Sequence, residues 1–129
     1  IGITGMESLT AETVAKVRSA WNHSPKRYES LFDQISLLTT SSLECLQSGK
    51  LEELGELMNL CHGYLNALQL STPELEELVH IARKHGALGA KLTGGGGGGS
   101  MIALCPDNKE EIQDAMNKAG YQTLPYTIG

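Results

Sequence analysis

Apolar residues recur at helical spacing through most of this chain and at strand spacing only towards its end. Val14, Val17 and Trp21 fall three and four apart between Thr10 and Asn22, and Thr10 is placed to cap that helix. Ser24-Pro25 sets a capping hydroxyl before a proline in the first helical position. The helix it opens carries Tyr28, Leu31, Phe32, Ile35 and Leu38 on one stripe and runs on through Leu43 and Leu46 to Gly49, a stop signal. The hydroxyl run at 39–42 weakens this helix locally, because short polar side chains compete for the backbone. The third helix has the clearest pattern, with Leu51, Leu54, Met58, Cys61, Leu65 and Leu68 alternating steps of three and four. The stripe is too short to sustain a coiled coil and predicts a packed bundle helix. Thr72-Pro73 repeats the cap-plus-proline device. Leu75, Leu78, Val79 and Ala82 then form a buried face before His85-Gly86 ends the helix.

After Gly86 the period changes. Leu88, Ala90 and Leu92 alternate within residues 87–93, and Met101–Cys105 is a continuous apolar run. Both predict strands, the second buried. Asp107 is placed to cap a last helix, with Glu110 as capping-box partner and Ile112, Ala115, Met116 and Ala119 facing inward up to Gly120. The chain closes as a strand over 121–128, and Pro125 puts it at a sheet edge. Helices plus a small, mostly antiparallel sheet predict one α+β domain over residues 1–129.

Composition narrows the function classes. A chain of 129 residues suits one hydrophobic core. Formal net charge is −5 and the ten Lys and Arg residues are scattered, so no basic stripe for nucleic acid exists. No run approaches the roughly 18 apolar residues of a membrane span, and no signal peptide is visible. The opening IGITG has no initiator Met, which reads as a piece of something longer or a trimmed chain. Cys45, Cys61 and Cys105 are odd in number, without metal-like pairing, and read as small buried hydrophobes in a reducing cytoplasm. Neither a metal site nor a catalytic residue is assigned.

Six glycines, Gly94–Gly99, precede Ser100. Glycine runs ending in Ser behave as random-coil linkers, and an engineered linker is one reading. A linker needs a folded unit on each side, however, and residues 100–129 are too few to bury a core of their own. The glycines also lie between two apolar strands, which predicts a strand–loop–strand turn of one domain. Without Cβ atoms, successive N–H groups of such a loop can point into one concavity that suits phosphate. A dinucleotide fingerprint or a P-loop needs a helix after the glycines. Here a strand follows, so neither applies.

The flanks of the run carry a resemblance. HGALGAKLTGGGGGGSMIALC, residues 85–105, resembles the third conserved motif of the mevalonate kinases in the GHMP kinase superfamily. That motif is roughly Lys-Leu/Met-Thr/Ser-Gly-x-Gly-x-Gly-Gly-Cys, usually after Gly-Ala-Leu-Gly-Ala. Residues 41–79 resemble the helical region before the motif. Residues 3–18 resemble the strand end and helix where the family often has Asp/Asn-Thr, a short loop and Ser-Thr. The resemblance covers nearly the whole chain in order. It implies a GHMP kinase C-terminal domain, a ferredoxin-like antiparallel sheet with additional packed helices, as a fragment or separate half of a two-domain kinase. The family's Pro-x-x-x-Gly-Leu-Gly-Ser-Ser-Ala nucleotide loop and its catalytic Asp and Lys belong to an N-terminal domain and have no counterpart here. The implied intact enzyme transfers the γ-phosphate of ATP to the primary hydroxyl of mevalonate, with Mg2+, in isoprenoid biosynthesis. This chain alone is then inactive, with the N-terminal domain as its partner.

The resemblance also implies roles. Gly94, Gly95, Gly96, Gly97, Gly98 and Gly99, with Thr93, would shape the cleft floor and support the phosphate loop of the other domain. The plain alternative is a hairpin turn. Thr4 matches a threonine near the substrate and the transferring phosphate; the plain alternative is a strand-end threonine satisfying local backbone. Ile3 stands where many members carry Asp or Asn, and Ser100 replaces the usual Cys, which argues against required thiol chemistry there. Lys91 reads as a solvated strand lysine rather than a phosphate ligand. His62 reads as a helix-flank histidine in a polar contact, and His23, His80 and His85 as exposed or near caps. The charge runs LEELGEL and PELEEL read as solvated helix faces. A reading of another class stays open: a non-catalytic α+β interaction or small-ligand-binding module, whose bare apolar face drives self-association into a homodimer.

Overall fold

The computed structural model describes residues 1–5, 10–93 and 99–127. Its elements are β1 (Gly2–Ile3), α1 (Thr10–His23), α2 (Pro25–Ser48), α3 (Leu51–Ala67), α4 (Pro73–Lys84), β2 (Gly89–Thr93), β3 (Ser100–Leu104), α5 (Lys109–Lys118) and β4 (Gln122–Thr123). The four strands form one sheet in the order β2-β3-β1-β4, antiparallel at every pairing. With α4 before the β2–β3 hairpin and α5 after it, this is the ferredoxin-like arrangement, and α1, α2 and α3 are the additional helices.

The core lies between the sheet and α4 with α5. Leu75, Leu78, Val79 and Ala82 of α4 and Ile112 and Met116 of α5 meet Ala90, Leu92 and Met101 of the sheet. Each large aliphatic side chain buried there stabilises the fold by about 1.5–3 kcal/mol. The expected cap of α4 is present, with Leu75 N donating to Thr72 Oγ1 at 3.2 Å. At the other side of this layer the Tyr121 hydroxyl donates to Glu77. That hydrogen bond is the main reason the phenol is pushed up to about 12.

Several local expectations are corrected. Helix α1 is described from Thr10 onward, and the residues just before it lie outside the described ones. Ser24 makes no side-chain cap bond, so Pro25 alone marks the start of α2. As anticipated, α2 runs through the hydroxyl run to Ser48, and there Thr39, Thr40 and Ser42 donate to the carbonyls of Ile35, Ser36 and Leu38 one turn back. The stripe of α2 holds from Tyr28 to Leu38 and then passes to Cys45, leaving Leu43 and Leu46 exposed. Val14 and Trp21 are exposed as well, since α1 packs on α2 rather than on the sheet; Trp21 meets Phe32 edge-on at 5.5 Å. The last helix starts at Lys109, with Asn108 and not Asp107 at its cap position. The Asn108 amide donates instead to the His85 carbonyl at 2.6 Å, ending α4 rather than starting α5. The closing strand shortens to β4, although Ile1 and Leu124 still exchange backbone bonds beyond it at 2.8 and 2.9 Å. It does lie at the edge.

Candidate functional site at the glycine end of the sheet

Strand register brings Thr93 of β2, Ser100 of β3 and Ile3 of β1 side by side at one end of the sheet. Thr4 follows directly. Its N–H and its hydroxyl both donate to the Gly99 carbonyl, each at 2.9 Å. Gly99 has φ +85, a conformation that L side chains rarely adopt, so the residue leaving the glycine run needs to be glycine. Residues 95 positions apart are thus tied into one corner. Gly94, Gly95, Gly96, Gly97 and Gly98 lie outside the described residues. Of the anticipated site residues, Thr4, Thr93 and Gly99 are brought together with Ser100. The Thr4 hydroxyl proton is engaged by the carbonyl of Gly99, a backbone group distant in sequence rather than a local one.

A second arrangement holds β2. In an antiparallel strand alternate residues turn both backbone groups the same way, and Ala90 and Leu92 turn theirs to the outer edge. Every one of these four groups finds a side chain. Ala90 N donates to Asn59 Oδ1 at 3.0 Å, and the Ala90 carbonyl accepts from Arg83 Nη2 at 3.1 Å. Leu92 N donates to His62 Nδ1 at 3.1 Å, and the Leu92 carbonyl accepts from Lys91 Nζ at 2.7 Å. Arg83 Nε also donates to Asn59 Oδ1, at 3.0 Å. Two donors at that oxygen fix the orientation of the Asn59 amide.

Helix α3 reaches this edge because both backbones lack a side chain at the crossing. A methyl on Gly55 would overlap the Leu88 carbonyl, and a methyl on Gly89 would overlap the Gly55 carbonyl. Gly55, Asn59 and His62 lie four and three apart and form a polar seam beside the apolar stripe of α3.

His62 is 3% exposed. Its Nε2 lies 3.1 Å from Glu76 Oε1. Because Leu92 N–H can only donate, Nδ1 accepts and the proton sits on Nε2, facing the carboxylate. Burial holds the ring below its ordinary pKa of 6.5, with Arg83 and Lys91 adding to that effect and Glu76 opposing it. The sequence placed His62 in a polar contact but not its burial or its strand partner. Lys91, anticipated as solvated, is half-buried and folds back onto Leu92. His80 is exposed, and His85 caps α4 with its ring 3.3 Å from Glu111.

The opposite face of the sheet is open. A groove of about 1230 Å³ runs over Ile102 and Leu104, between Leu54, Met58 and Cys61 of α3 and Tyr126. Of β3, expected to be buried throughout, only Met101 is; α4 and α5 cover one face and leave Ile102 and Leu104 half-exposed on the other. Cys45 is buried as anticipated, whereas Cys61 and Cys105 are half-buried along this groove. Among the described residues no three His, Cys, Asp or Glu side chains converge as metal ligands, and no helix is long and apolar enough to cross a membrane.

Comparison with known proteins gives this corner a context. The family described as GHMP kinases C terminal matches residues 42–122. The mevalonate kinase of Pyrococcus horikoshii is 44% identical over 125 residues, covering 93% of this chain and 37% of that protein. The mevalonate kinase of Methanothermobacter thermautotrophicus is 39% identical over 109 residues, covering 84% of this chain and 36% of that protein. A crystal structure of L. major mevalonate kinase in complex with R-mevalonate superposes with TM-score 0.81 at 36% identity, over 91% of this chain and 35% of that one. The chain therefore spans little more than a third of the length of the kinases it matches. A match over residues 42–122, from α2 to β4, places the chain in the family of GHMP kinase C-terminal domains.

Proposed function

We propose that this chain is the C-terminal domain of a cytoplasmic mevalonate kinase, which transfers the γ-phosphate of ATP to the primary hydroxyl of mevalonate in isoprenoid biosynthesis. The observation that carries the reading is the corner where Thr4 grips the Gly99 carbonyl, at the exit of the glycine run. Its support is the similarity to mevalonate kinases over 91–93% of the chain. In this reading Gly94–Gly99 and Thr93 border the transferring phosphate, and Thr4 serves the substrate side. A matching N-terminal GHMP kinase domain supplies the nucleotide loop and the acid–base residues, and this chain alone is inactive. Phosphoryl transfer asks chiefly for positioning and charge stabilisation, which a fixed glycine corner serves.

The donor set of the corner discriminates between the groups that ATP chemistry needs. The described residues of the four strands and their flanks, 1–5, 88–93, 99–105 and 121–127, carry hydroxyls and amides but no Asp or Glu. That set fits phosphate oxygens. It does not fit Mg2+, which takes carboxylate and water ligands, so no step is assigned to a metal held by these strands.

The test is a phosphotransfer assay with and without a matched N-terminal half. Residues 1–129 alone should release no ADP in response to mevalonate, and the pair should. In the pair, Thr4→Ala should lower turnover by about tenfold, the size of the one lost hydrogen bond that holds the Gly99 carbonyl, and His80→Ala should not. Steady mevalonate phosphorylation by this chain alone, or inactivity of every folded pair, would overturn the reading.

A further inference from the structure

The last outward amide of β2 before the glycine run is held by an ionisable ring. Leu92 N–H has His62 Nδ1 as its acceptor, and Leu92 is followed by Thr93, which pairs with Ser100. The groups that face the ring are Glu76 and Arg83 from α4, Lys91 from β2, and neutral Asn59 from its own helix, one turn away. Glu76 occupies Nε2, so the only free lone pair of the neutral ring is the one Leu92 uses. A proton added there turns the acceptor into a donor, and two N–H groups then face each other.

We propose that His62 is a positioning residue: its neutral ring fixes the outer edge of β2 at Leu92, and with it the Thr93–Ser100 strand end, and a proton on Nδ1 releases that end. The assignment of this strand end to phosphate transfer rests on the function proposed above; the coupling of ring to strand does not. Ala90, two residues earlier, is an internal control, because its amide is held by Asn59, which does not titrate. Burial and the two cations resist the proton while Glu76 invites it, so release comes on the acid side of the ordinary histidine range.

The experiment is NMR on the isotope-labelled chain from about pH 8 to about pH 5. It reads the His62 ring nitrogens together with amide exchange, corrected for its intrinsic pH dependence. Protection at Leu92 and Ser100 should fall by about tenfold across the His62 titration, the size of one lost hydrogen bond, with Ala90 unchanged. His62→Asn places an amide oxygen on Cγ, where Nδ1 stands, keeps an acceptor for Leu92 and should keep protection at every pH. His62→Leu should be unprotected at every pH; if it does not fold, the asparagine variant decides. Leu92 protection that ignores the His62 titration, or an acid loss that persists in His62→Asn, overturns the proposal. With a matched N-terminal half, the acid limb of kcat should vanish in His62→Asn, and an unchanged limb overturns the positioning role. No phosphotransfer from the wild-type pair would overturn the functional reading instead, leaving the ring–strand coupling to stand or fall on exchange.

Discussion

The two outer strands of the sheet face the same difficulty and meet it differently. A strand edge exposes unpaired N–H and C=O groups that invite other strands. At β2 all four outward groups of Ala90 and Leu92 are bonded by Asn59, Arg83, His62 and Lys91, and α3 is pressed against the strand through Gly55 and Gly89. At β4 the edge is short. Gln122 and Leu124 turn inward to β1, Thr123 and position 125 turn outward, and Pro125 has no N–H to offer. One edge is satisfied by four side chains, two of them, Asn59 and His62, distant in sequence, and the other is blunted by a single residue. In the function proposed above, the satisfied edge leads into the glycine run and needs a fixed position, whereas the blunted edge needs only to stay unpaired.

The comparison breaks most readily at the glycine crossing. Gly89→Ala or Gly55→Ala puts a methyl into backbone that cannot rotate away, so α3 and β2 must separate. The expected loss is about 3 kcal/mol, at the upper end of overpacking costs, read as a drop in urea midpoint. A variant within experimental error of wild type would show that the helix slides freely along this edge.

Next comes the Asn59 amide, which serves Ala90 N and Arg83 Nε at once. Asn59→Ala leaves a backbone donor without its partner and should cost about 1–3 kcal/mol. Asn59→Asp keeps an acceptor for both donors and should cost less. Equal losses for Ala and Asp would mean that packing, and not the hydrogen bonds, holds the strand.

How much of this was legible in the chain differs between the two edges. Pro125 announced the β4 edge because proline carries its constraint within its own ring. The α4 stripe and the Thr72 cap were legible for the same reason, since both are local. Periodicity misplaced Val14, Trp21, Leu43 and Leu46 because it marks an apolar face and not what covers it. The glycine corner was legible through family resemblance, and that resemblance singled out Thr4 but not its grip on Gly99. The β2 edge stayed hidden. Asn59 and His62 meet Ala90 and Leu92 across 31 and 30 residues of chain, and nothing local distinguishes them from a solvated helix flank. The one hint was two glycines, one inside a helical pattern and one at a strand start, since glycine in either place can mark close backbone approach.

The third effect depends on pH. His62 has its folded pKa lowered, mainly by burial, relative to 6.5 in the unfolded chain. The unfolded state therefore binds a proton more readily. The stability His62 contributes is fully present above about 6.5 and is lost as pH falls towards and through the folded value. A single such group changes stability by at most about 1.4 kcal/mol per pH unit. Urea titrations should show this slope in wild type and a shallower one in His62→Asn. Equal slopes would assign the acid loss to other groups.

The smallest folding effect belongs to Pro125. The Thr123 side chain bonds Asn117 on α5, and Leu124 and Ile1 exchange backbone bonds, so β4 is held from the inner side without the proline. Pro125→Val should therefore change folding stability by no more than about 0.5 kcal/mol, as for a surface site. It restores an outward N–H and a β-branched side chain between exposed Leu124 and Tyr126. If the proline acts by blunting the edge, the variant should self-associate with rising concentration, seen by sedimentation, while the unfolding midpoint of its monomer stays put. The matching change at the other edge, Arg83→Ala, uncovers only the Ala90 carbonyl beneath α3 and should lower stability without association. Association of Arg83→Ala, or a strictly monomeric Pro125→Val, would show that helix cover and proline are not the devices that keep these two edges apart from other strands.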